Sequence, residues 1–150
     1  LDMIVKDHQP LALAKEQELA VTIESNLPQA LCDEGRTMQI LSNLVSNAIK
    51  YTPNGGKIQL DLRMADTEGF LLFSVADDGI GIPETDKAQL FGSLVRASNV
   101  HQTGAQGAGL GLYIVQSLVE LHGGQVWFES QESQGTTFYV TFPIDDGLLG

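Results

Sequence analysis

One cysteine, five prolines and only eight lysines and arginines stand in a chain of 150 residues. The single thiol, Cys32, excludes a disulfide framework and a thiol-rich metal site, and makes a reducing, cytoplasmic setting the default expectation for the domain. Eight basic against 19 acidic residues leave a net charge of −11, which argues against a general nucleic-acid surface. Any anionic ligand must then be held by local features. No apolar run approaches the ~20 residues that cross a bilayer. Asp2 and Asp7 interrupt the first apolar residues, so no signal peptide is expected. The histidines, His8, His101 and His122, lie far apart and show no zinc spacing.

Hydrophobic residues make up 43% of the chain, enough for the core of one compact domain. Ile4, Val5, His8 and Leu11 recur at helical spacing, with Pro10 expected to kink or bound that helix. "LAVTIES" (19–25) alternates as a strand does. From Arg36 to Tyr51, Met38, Ile40, Leu41, Leu44, Val45, Ala48 and Ile49 form one apolar helical stripe, ended by "TPNGG" (52–56). "KIQLDLRM" (57–64), "ADTEG" (65–69) and "FLLFSVAD" (70–77) read as a hairpin. A long polar, glycine-bearing stretch follows from 77 to 109, with one short helix candidate at 84–91; loops of that length are usually lids or binding loops. "LGLYIVQSLVELHG" (110–123) is amphipathic with Gly123 as its C-cap, and "GQVWFESQ" with "GTTFYVTFP" makes a last hairpin. Hairpins with helices between them predict a mixed sheet covered by helices on one face.

"GAQGAGLGLYIV" (104–115) runs four glycines into a helix. The spacing Gly107-x-Gly109-x-Gly111 is one residue short of the dinucleotide fingerprint, and no strand precedes it. No Gly-Lys-Ser/Thr follows, so it is not a P-loop. Glycine costs ~1 kcal/mol in a helix interior, so Gly109 and Gly111 stand in the first turns at a cost. Close backbone approach to a ligand is the usual reason, and the free N–H groups of a helix N-terminus suit a phosphate.

"VADDGIGIP" (75–83) contains the Asp-Gly turn signal, yet a helical pattern rather than a strand follows it. Asp77, at a strand end beside glycines, can aim its carboxylate into a pocket and accept from an exocyclic amine such as that of adenine. No calcium-loop spacing is present. In "NLVSNAIKYTP" (43–53), Asn43 and Asn47 are four residues apart and share a helix face. An Asn amide oxygen is a hard ligand suited to Mg²⁺, which is normally shared with substrate phosphates. Lys50, one turn on, is a point charge for those phosphates, and Tyr51 can offer an aromatic face to a base.

Taken together and in this order, these segments resemble the catalytic, ATP-binding domain of sensor histidine kinases, within the GHKL group of ATPases and kinases. The resemblance runs from about Leu11 to Pro143. "NLVSNAIKYTP" looks like the N box, "DDGIGIP" the G1 box, "LFGSLVR" (90–96) the F box, "GAGLGL" the G2 box and "GTTFYVTFP" the terminal strand. It implies an α+β fold, a two-layer α/β sandwich of the Bergerat type, with a mixed sheet of about five main strands on three helices. It implies a domain over 11–145, preceded over 1–18 by a linker or first helix continuing from a dimerisation segment, and a tail over 146–150.

By the same resemblance the ligands are ATP and Mg²⁺. Asn47 would coordinate Mg²⁺ and act in catalysis with Lys50, which would contact phosphate; Asn43 lies nearby, and Tyr51 lies against adenine. Asp77 would accept the adenine amine, with Gly79 and Gly81 allowing close approach and Ile82 beside them. The lid would run from Arg96 to Ala108, with Gly104 and Gly107 giving it movement. Gly107, Gly109, Leu110, Gly111 and Leu112 would complete the phosphate side, and Thr137 would stand near the adenine carboxylate. Gyrase-type and chaperone relatives carry a Glu where this chain has Asn43. An amide is no base, which favours phosphoryl transfer over ATP hydrolysis. The implied partners are the protein's own dimerisation and histidine-bearing domain and a downstream response regulator. An isolated domain is expected to be a monomer, and a full-length protein, cytosolic or membrane-anchored, a homodimer. His8 in "DHQPLA" lacks the acidic residue that directly follows the common phosphoacceptor histidine. The F box departs from the family with Gly92-Ser93 where Glu-Pro is common, and no Lys or Arg lies between Arg96 and the following helix.

Overall fold

The computed structural model describes residues 1–84, 87 and 110–145. Helix α1 (Asp2–Ala14) leads to strand β1 (Glu18–Ile23), then the long helix α2 (Glu34–Tyr51) and the hairpin β2 (Lys57–Met64) and β3 (Phe70–Asp77). Helix α3 (Leu110–Leu121) precedes a second hairpin, β4 (Val126–Gln131) and β5 (Gly135–Pro143). The five strands form one sheet in the order β1-β2-β3-β5-β4. β1 runs parallel to β2 and the other pairs are antiparallel. This is the α+β, two-layer architecture that the resemblance implied.

Residues opposite one another on neighbouring strands point to the same face. The register aligns Leu60 with Val75 and Leu62 with Phe73, then Phe73 with Val140 and Val75 with Phe138. That row is the inner face, and it is nearly dry: Leu60, Phe73, Val75 and Val140 are all buried. Against it pack Ile40, Leu41, Leu44, Val45, Ala48 and Ile49 of α2, Val115 and Val119 of α3, and Ile4 and Ala12 of α1. The α2 stripe is the one its 3.6-residue periodicity predicts.

Helix ends follow from local chemistry. Asp33 caps α2 by accepting from the Arg36 N–H at 2.8 Å, which meets one of the orphan donors of a helix start. Gly123, at φ 78°, ends α3: its N–H reaches the Glu120 carbonyl, and that of Gly124 reaches Val119, the double bond of a glycine-terminated helix. His122 Nδ1 lies 2.8 Å from the Leu118 carbonyl, and its Nε2 accepts from the Asp33 N–H at 3.0 Å. Accepting at Nε2 needs the neutral ring, so His122 ties the end of α3 to the start of α2 as an acceptor rather than as a cation.

Of the two roles open to Pro10, it does not bound α1, which runs through to Ala14. A proline forfeits the bond to the carbonyl four residues back, and here Lys6 and Pro10 are both exposed, so water can serve that carbonyl. Ile4 is 1% exposed and belongs to the core cluster, so α1 packs against the rest of the domain. The 84–91 helix candidate lies almost wholly outside the described residues. Among the described residues no helix is long and apolar enough to cross a membrane.

Leu44 is fully buried where α2 meets the sheet. Leu44→Ala is expected to destabilise the domain by about 3 kcal/mol, seen in urea unfolding as a lower midpoint with an unchanged slope.

Candidate nucleotide site

The site gathers where the C-terminal end of α2 meets the segment that leaves β3. Asn43 and Asn47 are half-buried on α2, Lys50 is exposed and Tyr51 is half-buried at the last helical position. The tight spacing of Leu44, Val45, Ala48 and Ile49 fixes the helix on the sheet, which leaves the Asn face beside the core rather than in it. The carbonyls of this helix end are not left to water. Gln17 donates to Ile49 O at 3.0 Å and to Thr52 O at 2.7 Å. Lys15 donates to Ile49 O at 2.7 Å and to Lys50 O at 3.3 Å.

The segment after β3 is pinned on two sides. The Ile80 N–H reaches the Tyr51 carbonyl at 3.3 Å. Gly79 packs so closely on that carbonyl and on Thr52 Cα that a Cβ would strike them. On the other side the Ser133 N–H donates to Ile80 O at 2.6 Å, and the Ile82 N–H donates to Ser130 Oγ at 2.8 Å. Gly81, at φ 70°, lies against the Gln131 backbone where a Cβ would overlap. The two glycines thus have separate reasons: Gly79 for the approach to α2, Gly81 for a left-handed backbone under the β4–β5 turn. Asp78 is spent on structure, accepting from the Lys57 N–H at 2.8 Å.

Asp77 differs from its neighbour. Its register with Ile58 and Thr136 puts it on the inner face, the last position of a row that otherwise reads Leu71, Phe73 and Val75. Burial pushes its carboxyl up to about 6 from 3.8, and the Asp78 charge adds a smaller push; the Gly79 and Thr136 N–H groups pull it back. The Gly79 N–H donates to Oδ1 at 2.9 Å. At neutral pH the group is a desolvated anion, and a carboxylate has more acceptor sites than these N–H groups fill.

The structure therefore brings together Tyr51, Asp77, Gly79, Gly81 and Ile82, with Asn47 and Lys50 on the adjoining helix turns. Ile82 and Leu112 are buried members of the core cluster. Leu110 and Gly111 open α3. Arg96, Gly107 and Gly109, together with the F box, the lid and His101, lie outside the described residues. Thr137 is a correction. It pairs with Ala76 and Glu129, so its side chain points to the opposite face from Asp77. Thr136 is the residue on the Asp77 face, and its Oγ1 lies 2.7 Å from Ser130 Oγ. Counting back by twos from Val140 and Phe138 gives Thr136 from the sequence alone. Lys15 and Gln17 were also missed, and no motif marks them.

His8 is 7% exposed. Its Nδ1 lies 2.8 Å from Ile4 O, one turn back on α1, and its Nε2 lies 3.3 Å from Ser42 Oγ on α2, so both nitrogens are engaged in structure. No group of three or more His, Cys, Asp or Glu that could hold a metal exists among the described residues. A metal ion here would rely on the Asn47 amide oxygen and on ligand phosphates, as suits Mg²⁺. An exocyclic amine such as that of adenine would suit the acceptor sites left on the Asp77 carboxylate.

Comparison with known proteins agrees with this geometry. Residues 32–146 match the family model described as "Histidine kinase-, DNA gyrase B-, and HSP90-like ATPase". The chain is 37% identical over 139 residues to the adaptive-response sensory kinase SasA of Synechococcus sp. (strain CC9311), covering 93% of this chain and 36% of that protein. It is 37% identical over 138 residues to the sensor histidine kinase WalK of Bacillus subtilis (strain 168), covering 89% of this chain and 22% of that one. Among solved structures, full-length ShkA in complex with AMPPNP superposes with a TM-score of 0.82 at 35% identity, over 96% of this chain and 29% of ShkA. The chain thus spans about a third or less of these relatives. With the match extending over most of its length, the chain belongs to the family of histidine kinase-, DNA gyrase B- and HSP90-like ATPases.

Proposed function

We propose that this domain binds Mg²⁺–ATP and serves as the catalytic domain of a two-component sensor kinase. The γ-phosphoryl goes to a histidine on a separate dimerisation domain, and from there to a response regulator. The observation that carries the reading is the desolvated Asp77 carboxylate held beside Gly79 at the end of the Asn47–Lys50–Tyr51 helix. ShkA, solved with the ATP analogue AMPPNP, supports ATP as the nucleotide; the relatives SasA and WalK, both sensory kinases, support the kinase role.

The residues divide the work. Asp77 accepts the adenine amine, and Gly79 admits the ring. Tyr51 borders it. Asn47 offers its amide oxygen to Mg²⁺, which would neutralise phosphate charge. Lys50 contacts the phosphates. Phosphoryl transfer asks for alignment and charge neutralisation more than for covalent help. The acceptor imidazole nitrogen forms the new N–P bond as the bond to the β–γ bridging oxygen breaks, and ADP leaves. Asn43 stands where a hydrolytic relative would place a Glu. Its amide cannot take a proton from water, so the site lacks that general base and transfer is favoured over hydrolysis.

Ionised Asp77 has a cost in the free domain. Its folded pKa, about 6, exceeds the ordinary 3.8 of an aspartate, so the folded state binds the proton more tightly than the unfolded one. Stability is full below about pH 4 and falls as pH rises through 6, by about 3 kcal/mol in all. Asp77→Asn is therefore expected to raise the melting temperature of the free domain at pH 7.5 by about 10 °C, with the difference closing toward pH 4. The same change should weaken ATP, ADP and adenosine alike by roughly ten- to a hundredfold. Asn47→Ala should remove the Mg²⁺-dependent part of ATP affinity and leave adenosine binding in place. Calorimetry that finds no Mg²⁺–ATP binding by the native domain overturns the reading. With labelled ATP, the domain alone should incorporate no phosphate, and label on His8 would contradict the assignment of roles. Adding the cognate dimerisation segment should yield acid-labile, base-stable phosphate on that segment.

A further inference from the structure

The candidate phosphate-contacting residues stand at the wrong end of a helix. Helices offer anions their N-termini, whereas Asn47 and Lys50 occupy the last turns of α2. Aligned peptide dipoles place about half a negative charge at that end, in a chain that already carries −11. An approaching triphosphate therefore meets an unfavourable field unless something offsets it.

The structure supplies a cation at the carbonyls themselves. Lys15 Nζ lies 2.7 Å from Ile49 O and 3.3 Å from Lys50 O, and burial lowers its pKa. Its delivery is built into the turn between α1 and β1. Glu16 takes φ 55°, its N–H bonds Leu13 O, and the Gln17 N–H bonds Ala12 O. A non-glycine residue takes that left-handed conformation only at a cost. The turn it makes lets Lys15 and Gln17, on either side of it, both reach the end of α2. Gln17 is 3% exposed and supplies neutral donors to the same carbonyls. Hydrogen bonding alone is thus partly met without Lys15, and what Lys15 adds is charge.

We propose that Lys15 is an electrostatic positioning residue for the nucleotide site: its ammonium cancels the negative end of α2, so that the helix turn carrying Asn47 and Lys50 can face the phosphates. This rests on the Mg²⁺–ATP reading above. It requires Lys15 to act on the phosphates and not on the adenosine half of the ligand.

The test is calorimetric titration of the native domain and of Lys15→Met, Lys15→Gln and Lys15→Arg with ATP, ADP and adenosine, each with Mg²⁺. Lys15→Gln keeps an amide donor for the carbonyls and removes only the charge, so it stands in if Lys15→Met fails to fold. Losses of about five- to tenfold for ATP, smaller for ADP and within about twofold for adenosine are expected in the uncharged variants. Lys15→Arg should restore ATP binding to near the native value. Equal losses for ATP and adenosine, or none at all, overturn the proposal and leave Lys15 as a structural cap. No binding of any of the three by the native domain overturns the reading of the site instead.

Discussion

The rest of the site depends on one carboxylate placed where an aliphatic side chain would be expected. Asp77 closes the inner-face row of β3 after Leu71, Phe73 and Val75, and β2 and β5 flank it with Ile58 and Thr136. A carboxylate at the edge of a dry layer is tolerated only with donors, because desolvation penalises the charged form. The chain supplies backbone donors from Gly79 and Thr136, and these do not restore an ordinary titration. The remaining deficit would suit a ligand donor at this position, as the proposed adenine contact requires.

The loop that carries Asp77 is tied down on both sides. Gly79 packs on the Tyr51 carbonyl where a side chain would clash, and the Ile80 N–H fastens the loop to the same carbonyl. From the other side Ser130 and Ser133 hold Ile82 and Ile80. The loop is thus bound to α2 and to the last hairpin at once, and a shift of either would move the carboxylate. The end of α2 is in turn held by Lys15 and Gln17 from the α1–β1 turn. Local stability is drawn toward a place that carries an energetic penalty of its own, as is common where function and stability compete.

Much of this was legible in the sequence because two patterns carry it. The α2 stripe from Ile40 to Ile49 and the two hairpins read from turn-separated strand segments indicate the layers directly. The Asn and Asp-Gly motifs gave Asn47, Asp77 and Gly79, since those residue types stand where apolar ones would otherwise fit. What was not legible depends on tertiary register. Thr137 was chosen where Thr136 faces the site, an error of one residue that reverses the face. Pro10 left open whether the helix is kinked or bounded there, and its exposed position lets the helix continue. Lys15 and Gln17 act across a separation of more than thirty residues on backbone carbonyls, and a contact to backbone leaves no partner residue type to recognise. His122 as a neutral acceptor for the Asp33 N–H is hidden in the same way.

The central claim is that Asp77 is a desolvated acceptor awaiting the adenine amine, and carbon-13 NMR of its carboxyl group measures that most directly. Titrated in the free domain, the Asp77 carboxyl is predicted to have its midpoint near pH 6. In the adenosine-saturated domain the midpoint should move down toward the ordinary carboxylate range, because a donor to the charged form stabilises it. An ordinary midpoint in the free domain that adenosine leaves unchanged would contradict the account.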